Sequence, residues 1–183
     1  MVTGFYTLNE TEKTISEKLS GLPIDFQAQA TVANLYRAAN ATRKYFTNTV
    51  LKDYDLSWTG FVVLWVVWIF DGIETRHAAD EAGISKSTLS GIIKTMESRG
   101  LLERRFDASD KRLVHLHLTQ NGGATMVELF PKFNLKEVET VSPLDKGGVD
   151  QLGHMLKSII THLESFTEVS MESRTTPWQG INK

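Results

Sequence analysis

Residues 75–118, TRHAADEAGISKSTLSGIIKTMESRGLLERRFDASDKRLVHLHL, restrict the fold of this chain more than any other stretch. Thr75 can cap a short helix reaching residue 82, and Gly83 supplies a tight turn after it. Ser85 caps a second helix over residues 86–99, whose apolar residues Leu89, Ile92, Ile93 and Met96 recur at helical spacing. Gly100 stands where a helix end takes positive φ, and Leu101 can fold back onto Met96. Residues 101–106 and 113–118 read as two strands joined by the charged tip DASDKR. In the second strand Val114, Leu116 and Leu118 share one face, and Leu113, His115 and His117 the other. Two helices meeting at a glycine turn, followed by a hairpin, predict a helix-turn-helix with a wing.

The flanks predict helices. The spacing of Val32, Tyr36, Ala39, Arg43, Phe46 and Val50 is that of a narrow seam. Ser142-Pro143 is expected to start a last long helix, where Val149, Leu152, Leu156, Ile159, Leu163 and Phe166 form a second seam. Two seams near the two ends predict helical dimerisation; an intramolecular helix pair is the alternative. Between the first seam and the helix-turn-helix lies SWTGFVVLWVVWIF, residues 57–70, apolar on every side in its middle. Its valines favour a strand, and its length and Ser57 favour a helix. Thr119 is expected to cap another helix, weakened in its first turn by Gly122 and Gly123 and shortened or kinked at Pro131.

The expected class is mainly α (α+β): a winged helix-turn-helix flanked by N- and C-terminal dimerisation helices. The expected divisions are an arm over 1–24 with a short helix near residues 10–19, a first dimerisation helix over 25–56, the winged helix over 57–122, further dimerisation helices over 123–170, and a tail over 171–183. With 183 residues, 41% of them hydrophobic, the chain is long enough for a real core. It has no cysteine, which excludes disulfides, thiol catalysis and cysteine-based zinc sites. No secretory signal or membrane-spanning run is visible. No H-E-x-x-H, phosphate-binding loop or nucleophile elbow occurs, so no enzyme and no cofactor are expected.

Charge is uneven. Between residues 86 and 112, seven cations face four acids, a local +3 on a chain whose net charge is -2, leaving -5 elsewhere. A basic segment on an acidic body suits a DNA face; a solvated mixed-charge surface is the alternative. If the apolar residues of the second helix face the core, Lys86, Ser87, Ser90, Gly91 and Lys94 face outward. Hydroxyls and lysines of this kind reach base edges and phosphates. Gly91 costs the helix about 1 kcal/mol against alanine; a glycine there suits close approach to a duplex, and an ordinary surface helix carrying a poor residue is the alternative. At the wing, Lys111 or Arg112 suits a narrow minor groove, and Asp110 can orient Arg112; a solvated turn is the alternative. Arg104 and Arg105 point to opposite faces, so one at most faces phosphate.

These residues resemble the winged-helix core of the MarR family of bacterial transcription regulators. The resemblance is carried by Ala78-Ala79, the run from Gly83 to Ser90, the run from Met96 to Arg104, the wing from Asp107 to Val114, and Leu118-Thr119-Gln120-Asn121-Gly122. The linked motifs GL-x-x-R, D-x-x-D-x-R and L-T-x-x-G are its specific part. Motif identity spans roughly residues 74–122, and the helix order extends the likeness to about 25–168. The resemblance implies a homodimer on a pseudo-palindromic operator of double-stranded DNA, acting as a repressor released by a small aromatic or phenolic effector. It implies a cytoplasmic, nucleoid-associated protein. By position it places Ser87, Thr88, Ser90, Gly91 and Lys94 toward the groove and Arg112 on the wing. A winged helix that binds proteins without reading DNA is the other function considered.

An effector crevice of the kind the resemblance implies would lie beside residues 57–70. Trp58, Phe61, Trp65 and Trp68 form one helical stripe able to stack on an aromatic ligand, or a plain core stripe. Tyr36, Arg37 and Arg43 could add polar anchors, with a pairing of Arg43 across the dimer as the alternative for that residue. His115 and His117, on one strand face, suit a metal only with a third ligand; solvent-exposed histidines are the expectation, and no metal is expected.

Overall fold

The all-apolar segment that periodicity leaves undecided is a helix. The computed structural model describes residues 6–175, with side chains up to residue 166. Its elements are α1 (Leu8–Leu19), α2 (Phe26–Thr49), a 3-10 turn (Leu51–Tyr54), α3 (Trp58–Ile69), β1 (Ile73–Glu74), α4 (Thr75–Glu81), α5 (Lys86–Ser98), β2 (Leu102–Phe106), β3 (Val114–Leu118), α6 (Gln120–Val141) and α7 (Lys146–Thr175). Ser57 caps α3 by accepting from the Gly60 N–H at 3.0 Å. Phe61, Val63, Leu64, Val66 and Val67 are all buried, which explains the missing polar face. A Cβ at Gly60 would meet Met96 Cε, the flexible end of an α5 side chain, at 2.9 Å.

The chain divides into two compact units, Met1–Lys136 and Glu137–Lys183. In the first, α3, α4 and α5 pack with a three-stranded antiparallel sheet of order β1-β3-β2. Ile73 pairs with Leu116, Leu102 with Leu118, and Phe106 with Val114. The two-residue strand β1 has no counterpart in the expectations, because two residues carry no period. It also changes how α4 begins. The chain enters directly from the strand, Glu74 takes the N-cap position without a side-chain bond, and Thr75 Oγ1 instead donates to Val114 O at 2.9 Å.

Both helices of the helix-turn-helix end alike. Ile84 N donates to Ala79 O and Gly83 N to Asp80 O; Leu101 N donates to Met96 O and Gly100 N to Glu97 O. These are paired Schellman closures, with Gly83 at φ 61 and Gly100 at φ 65. Ala78 and Ala79 are buried where α4 meets α5, and Leu89, Ile93 and Met96 seal α5 to the core.

Thr119 caps α6 as expected, its Oγ1 accepting from Gly122 N at 2.9 Å and donating to Gly100 O at 2.6 Å. Gly122 is no weakness: a Cβ there would stand 1.9 Å from Leu101 O, so the helix passes the wing only as glycine. The helix continues through Pro131 to Val141. In the second unit, α7 starts later than expected. Asp145, not Ser142, is the cap, accepting from Gly148 N at 2.6 Å, and Pro143 lies outside the helix. The arm holds a full α1, closed by a capping box between Thr7 and Glu10.

The seams divide. Phe46 and Val50 are buried on α2, whereas Val32 and Tyr36 are exposed. On α7, Leu152, Ile159, Leu163 and Phe166 are exposed and Val149 and Leu156 half-buried. Among the described residues no helix is long and apolar enough to cross a membrane.

Candidate nucleic-acid interface

The outer face of α5 carries Lys86, Ser87, Thr88, Ser90, Gly91 and Lys94, all exposed, opposite the buried Leu89, Ile93 and Met96. The helix N-terminus is ordered by hydroxyls. Ser85 Oγ accepts from Thr88 N at 3.1 Å and is hydrogen-bonded to Ser87 Oγ at 2.9 Å and Thr88 Oγ1 at 2.8 Å. Ser90 Oγ donates to Lys86 O at 2.9 Å. Each hydroxyl keeps acceptor capacity for an outside donor. Lys86, Lys94 and Lys111 make no ion pair among the described residues. A Cβ on Gly91 would meet nothing within 4 Å, so the fold itself makes no demand for glycine there.

The wing tip is built by two aspartates. Asp107 Oδ1 accepts from Ser109 N at 2.7 Å, Ser109 Oγ at 2.5 Å and Asp110 N at 3.0 Å. These donors, the Ser109 hydroxyl foremost, lower its pKa to about 2. Asp110 grips Arg112 from Nε at 3.0 Å and Nη2 at 2.9 Å, and also accepts from Arg112 N at 3.0 Å. The guanidinium, hydrogen-bonded side on, lowers the Asp110 pKa. Arg112 remains 90% exposed, aimed by its partner rather than covered by it.

Between α4, α5 and the wing lies a cleft of about 330 Å³, lined among others by Arg76, Lys86, Ser90, Arg104 and Arg112 with Glu74. Arg104 reaches it already committed: its Nε and Nη2 donate to Glu97 at 2.9 and 2.7 Å, bracing the wing against α5. Arg105, on the opposite face, pairs with Glu103. The sequence allowed at most one of the two arginines to face phosphate, and it did not show these carboxylate partners.

His115 and His117 are not the exposed pair expected. His115 Nδ1 donates to Gly72 O at 2.8 Å, and its buried Nε2 faces Asp107 Oδ2 at 3.6 Å without a hydrogen bond. His117 Nδ1 lies 2.9 Å from Asp71 Oδ1. Both are half-buried because β1 and the turn before it pack against β3. His77 is exposed, 3.9 Å from Glu74. No cluster of three metal-ligating side chains occurs among the described residues.

The aromatic stripe is filled from within. Phe61 stacks on Phe133 at 4.2 Å, Trp65 on Phe130 at 4.5 Å, and Phe46 lies 4.4 Å from Phe133. Trp58 meets Phe46 at 6.1 Å and Trp68 meets Trp65 at 5.7 Å. Phe130 and Phe133 of α6 were missed as members of this cluster, although their spacing from Met126 and Leu129 marks a buried face. Tyr36 and Arg37 do not join it. Ten residues of helix, about 15 Å, separate Tyr36 from Phe46. Tyr36 is exposed, and Arg37 turns to α1, with Nη1 2.9 Å from Asn34 Oδ1 and 3.9 Å from Glu12 Oε1.

A helix-turn-helix whose second helix shows a hydroxyl-and-lysine face beside an arginine-tipped wing defines the class of winged-helix DNA-binding proteins. The MarR family model matches residues 56–114. HTH-type transcriptional regulator YwaE of Bacillus subtilis is 32% identical over 161 residues, covering 86% of this chain and 94% of that protein. MgrA of Staphylococcus aureus is 28% identical over 127 residues, 69% and 85% of the two chains. Among solved structures, BpsR of Bordetella bronchiseptica, whose DNA binding is regulated by 6-hydroxynicotinic acid, superposes with TM-score 0.65 at 24% identity over 70% of this chain and 97% of its own. PcaV of Streptomyces coelicolor, in complex with its natural ligand, gives 0.61 at 18% over 78% and 94%. At these identities the structures speak for the fold. The chain belongs to the MarR family of DNA-binding transcriptional regulators, which are not enzymes.

Proposed function

We infer that this chain is a homodimeric, sequence-specific repressor that reads a pseudo-palindromic operator and is released by a small aromatic effector. The observation that carries the DNA-reading part is Gly91. The helix gives up about 1 kcal/mol for it, yet among the described residues nothing comes within 4 Å of a Cβ there. A close external neighbour accounts for it, and the surrounding Lys86, Ser87, Thr88, Ser90 and Lys94 have the chemistry of groove contacts. Arg112, aimed by Asp110, and Lys111 serve the adjacent minor groove. Arg104 acts on DNA chiefly through its brace to Glu97.

Residues 57–122 are the DNA-binding part, and 25–56 with 123–170 the dimerisation part. The exposed Leu152 and Ile159, with Val149, Leu156, Leu163 and Phe166 on the same 3-4 spacing, support α7 as the two-fold contact. An effector finds Trp58, Phe61, Trp65 and Trp68 already in ring contact and Phe61 buried, so it enters at the half-buried Trp58, Trp65 and Trp68. The ligands named for BpsR and PcaV are the reason to test aromatic acids first.

The test is fluorescence anisotropy with a duplex that the protein itself selects from a random-sequence pool. Affinity falls steeply with salt and exceeds that for random duplex, and the selected sequence is two-fold symmetric. Equal affinity for both duplexes would sink the sequence-reading claim.

A further inference from the structure

Arg99, just past the last turn of α5, reaches the 3-10 turn rather than a carboxylate. Its Nη1 donates to Asp55 O at 2.6 Å and its Nη2 to Tyr54 O at 2.7 Å. One planar fork thus holds two consecutive carbonyls, a geometry that suits guanidinium and not ammonium. The carbonyls stand at the end of the 3-10 turn. There Asp55 adopts φ 51, the one positive φ at a non-glycine among the described residues.

The same turn is held from the other side. Tyr54 Oη donates to Glu128 Oε1 at 2.8 Å and accepts from Lys132 Nζ at 2.7 Å, and Lys132 also donates to Glu128 at 2.7 Å. Lys132 Nζ lies 5.2 Å over the Tyr54 ring as well. A continuous run of polar contacts therefore joins α6 to the C-terminal end of α5, outside the apolar core. Glu97, two residues before Arg99, holds the wing through Arg104. The last turn of α5 is thereby gripped by the wing on one side and by the 3-10 turn on the other. A 13-residue helix is about 20 Å long, so a tilt at this end moves Lys86 and Ser87 at the other.

We propose that Arg99 is a positioning residue for DNA binding, clamping the C-terminal end of α5 to the turn at Tyr54 and Asp55, and that Tyr54, Glu128 and Lys132 transmit the position of α6 to that clamp. This rests on the reading of α5 as the groove helix. It goes beyond that reading by naming residues that touch no DNA.

The experiment measures affinity for the self-selected duplex and for random duplex across a salt series, with melting temperature, for the full-length wild type and R99A, R99K, Y54F and K94A. R99A is expected to weaken specific binding about tenfold, the scale of a charge-assisted hydrogen bond pair. The slope of log affinity against log salt stays unchanged, because no phosphate contact is lost. R99K does not restore binding. Y54F, which keeps the backbone carbonyls but cuts the tie to α6, weakens specific binding in the same sense with an unchanged slope and leaves random-duplex binding alone. A slope reduced by about one in R99A would make Arg99 a phosphate contact, and wild-type affinity with only a lowered melting temperature would make it structural; either overturns the proposal. If R99A does not fold, Y54F decides: wild-type affinity there removes the link to α6. Wild-type affinity in K94A would displace the groove face itself, whereas loss in K94A with none in R99A and Y54F defeats only the present inference.

Discussion

Glycines at three positions show how one residue type answers to different constraints. Gly122 must be glycine because a Cβ would collide with Leu101 O. G122A is expected to cost about 1–3 kcal/mol or more through overpacking against backbone, read as a fall in the chemical-denaturation midpoint. Gly123, next in the same helix, faces nothing within 4 Å, and G123A should stabilise by up to about 1 kcal/mol. Gly91 is equally unobstructed. G91A should therefore raise stability by a similar amount while weakening duplex binding, a split that only an outside neighbour produces. In the sequence Gly122 and Gly123 looked alike, since only the path of the wing past α6 separates them. Arg99 was equally silent, because its partners are carbonyls 44 and 45 residues away.

At the scale of elements, the wing turn carries a pH signature. Asp107 has an ordinary pKa of 3.8 and titrates in the folded chain at about 2. Its contribution to the turn is complete above about 3.8 and is lost as the pH falls toward 2. Protection of the Ser109 and Asp110 amides, measured against their intrinsic exchange rates, should fall through that window, and D107N should remove this change in protection. The turn and the second helix were legible because their boundaries are local: Ser85 as cap, Gly83 and Gly100 at positive φ, Leu89, Ile93 and Met96 at helical spacing. What escaped reading was set from afar. β1 exists because β3 pairs with it, and that pairing buries His115 and His117. The start of α7 passed from the expected Ser142-Pro143 to Asp145, whose carboxylate accepts from Gly148 N. The Trp stripe of α3 was visible, but its filling by Phe130 and Phe133 depends on where α6 lies.

For the molecule as a whole, the exposed apolar spacing of α7 makes a prediction about assembly. L152E with I159E should shift sedimentation from dimer to monomer at micromolar concentration and leave the far-ultraviolet signature of the winged-helix lobe intact. A variant that stays dimeric would put the two-fold contact elsewhere. Operator affinity should fall with the dimer, because two linked half-sites gain from effective concentration. The split of charge along the sequence, +3 against -5, agrees with the proposed DNA face over residues 86–112, although part of the positive share is spent on Glu97, Glu103 and Asp110.

The most direct test of the central claim, that α5 and the wing form the DNA-reading surface, is the salt dependence of operator affinity in wild type, K94A and R112A. Each variant should keep the wild-type melting temperature, bind the selected duplex more weakly, and lower the slope of log affinity against log salt by about one. Wild-type affinity and slope in both variants would contradict the account and move the DNA-binding surface off α5 and the wing.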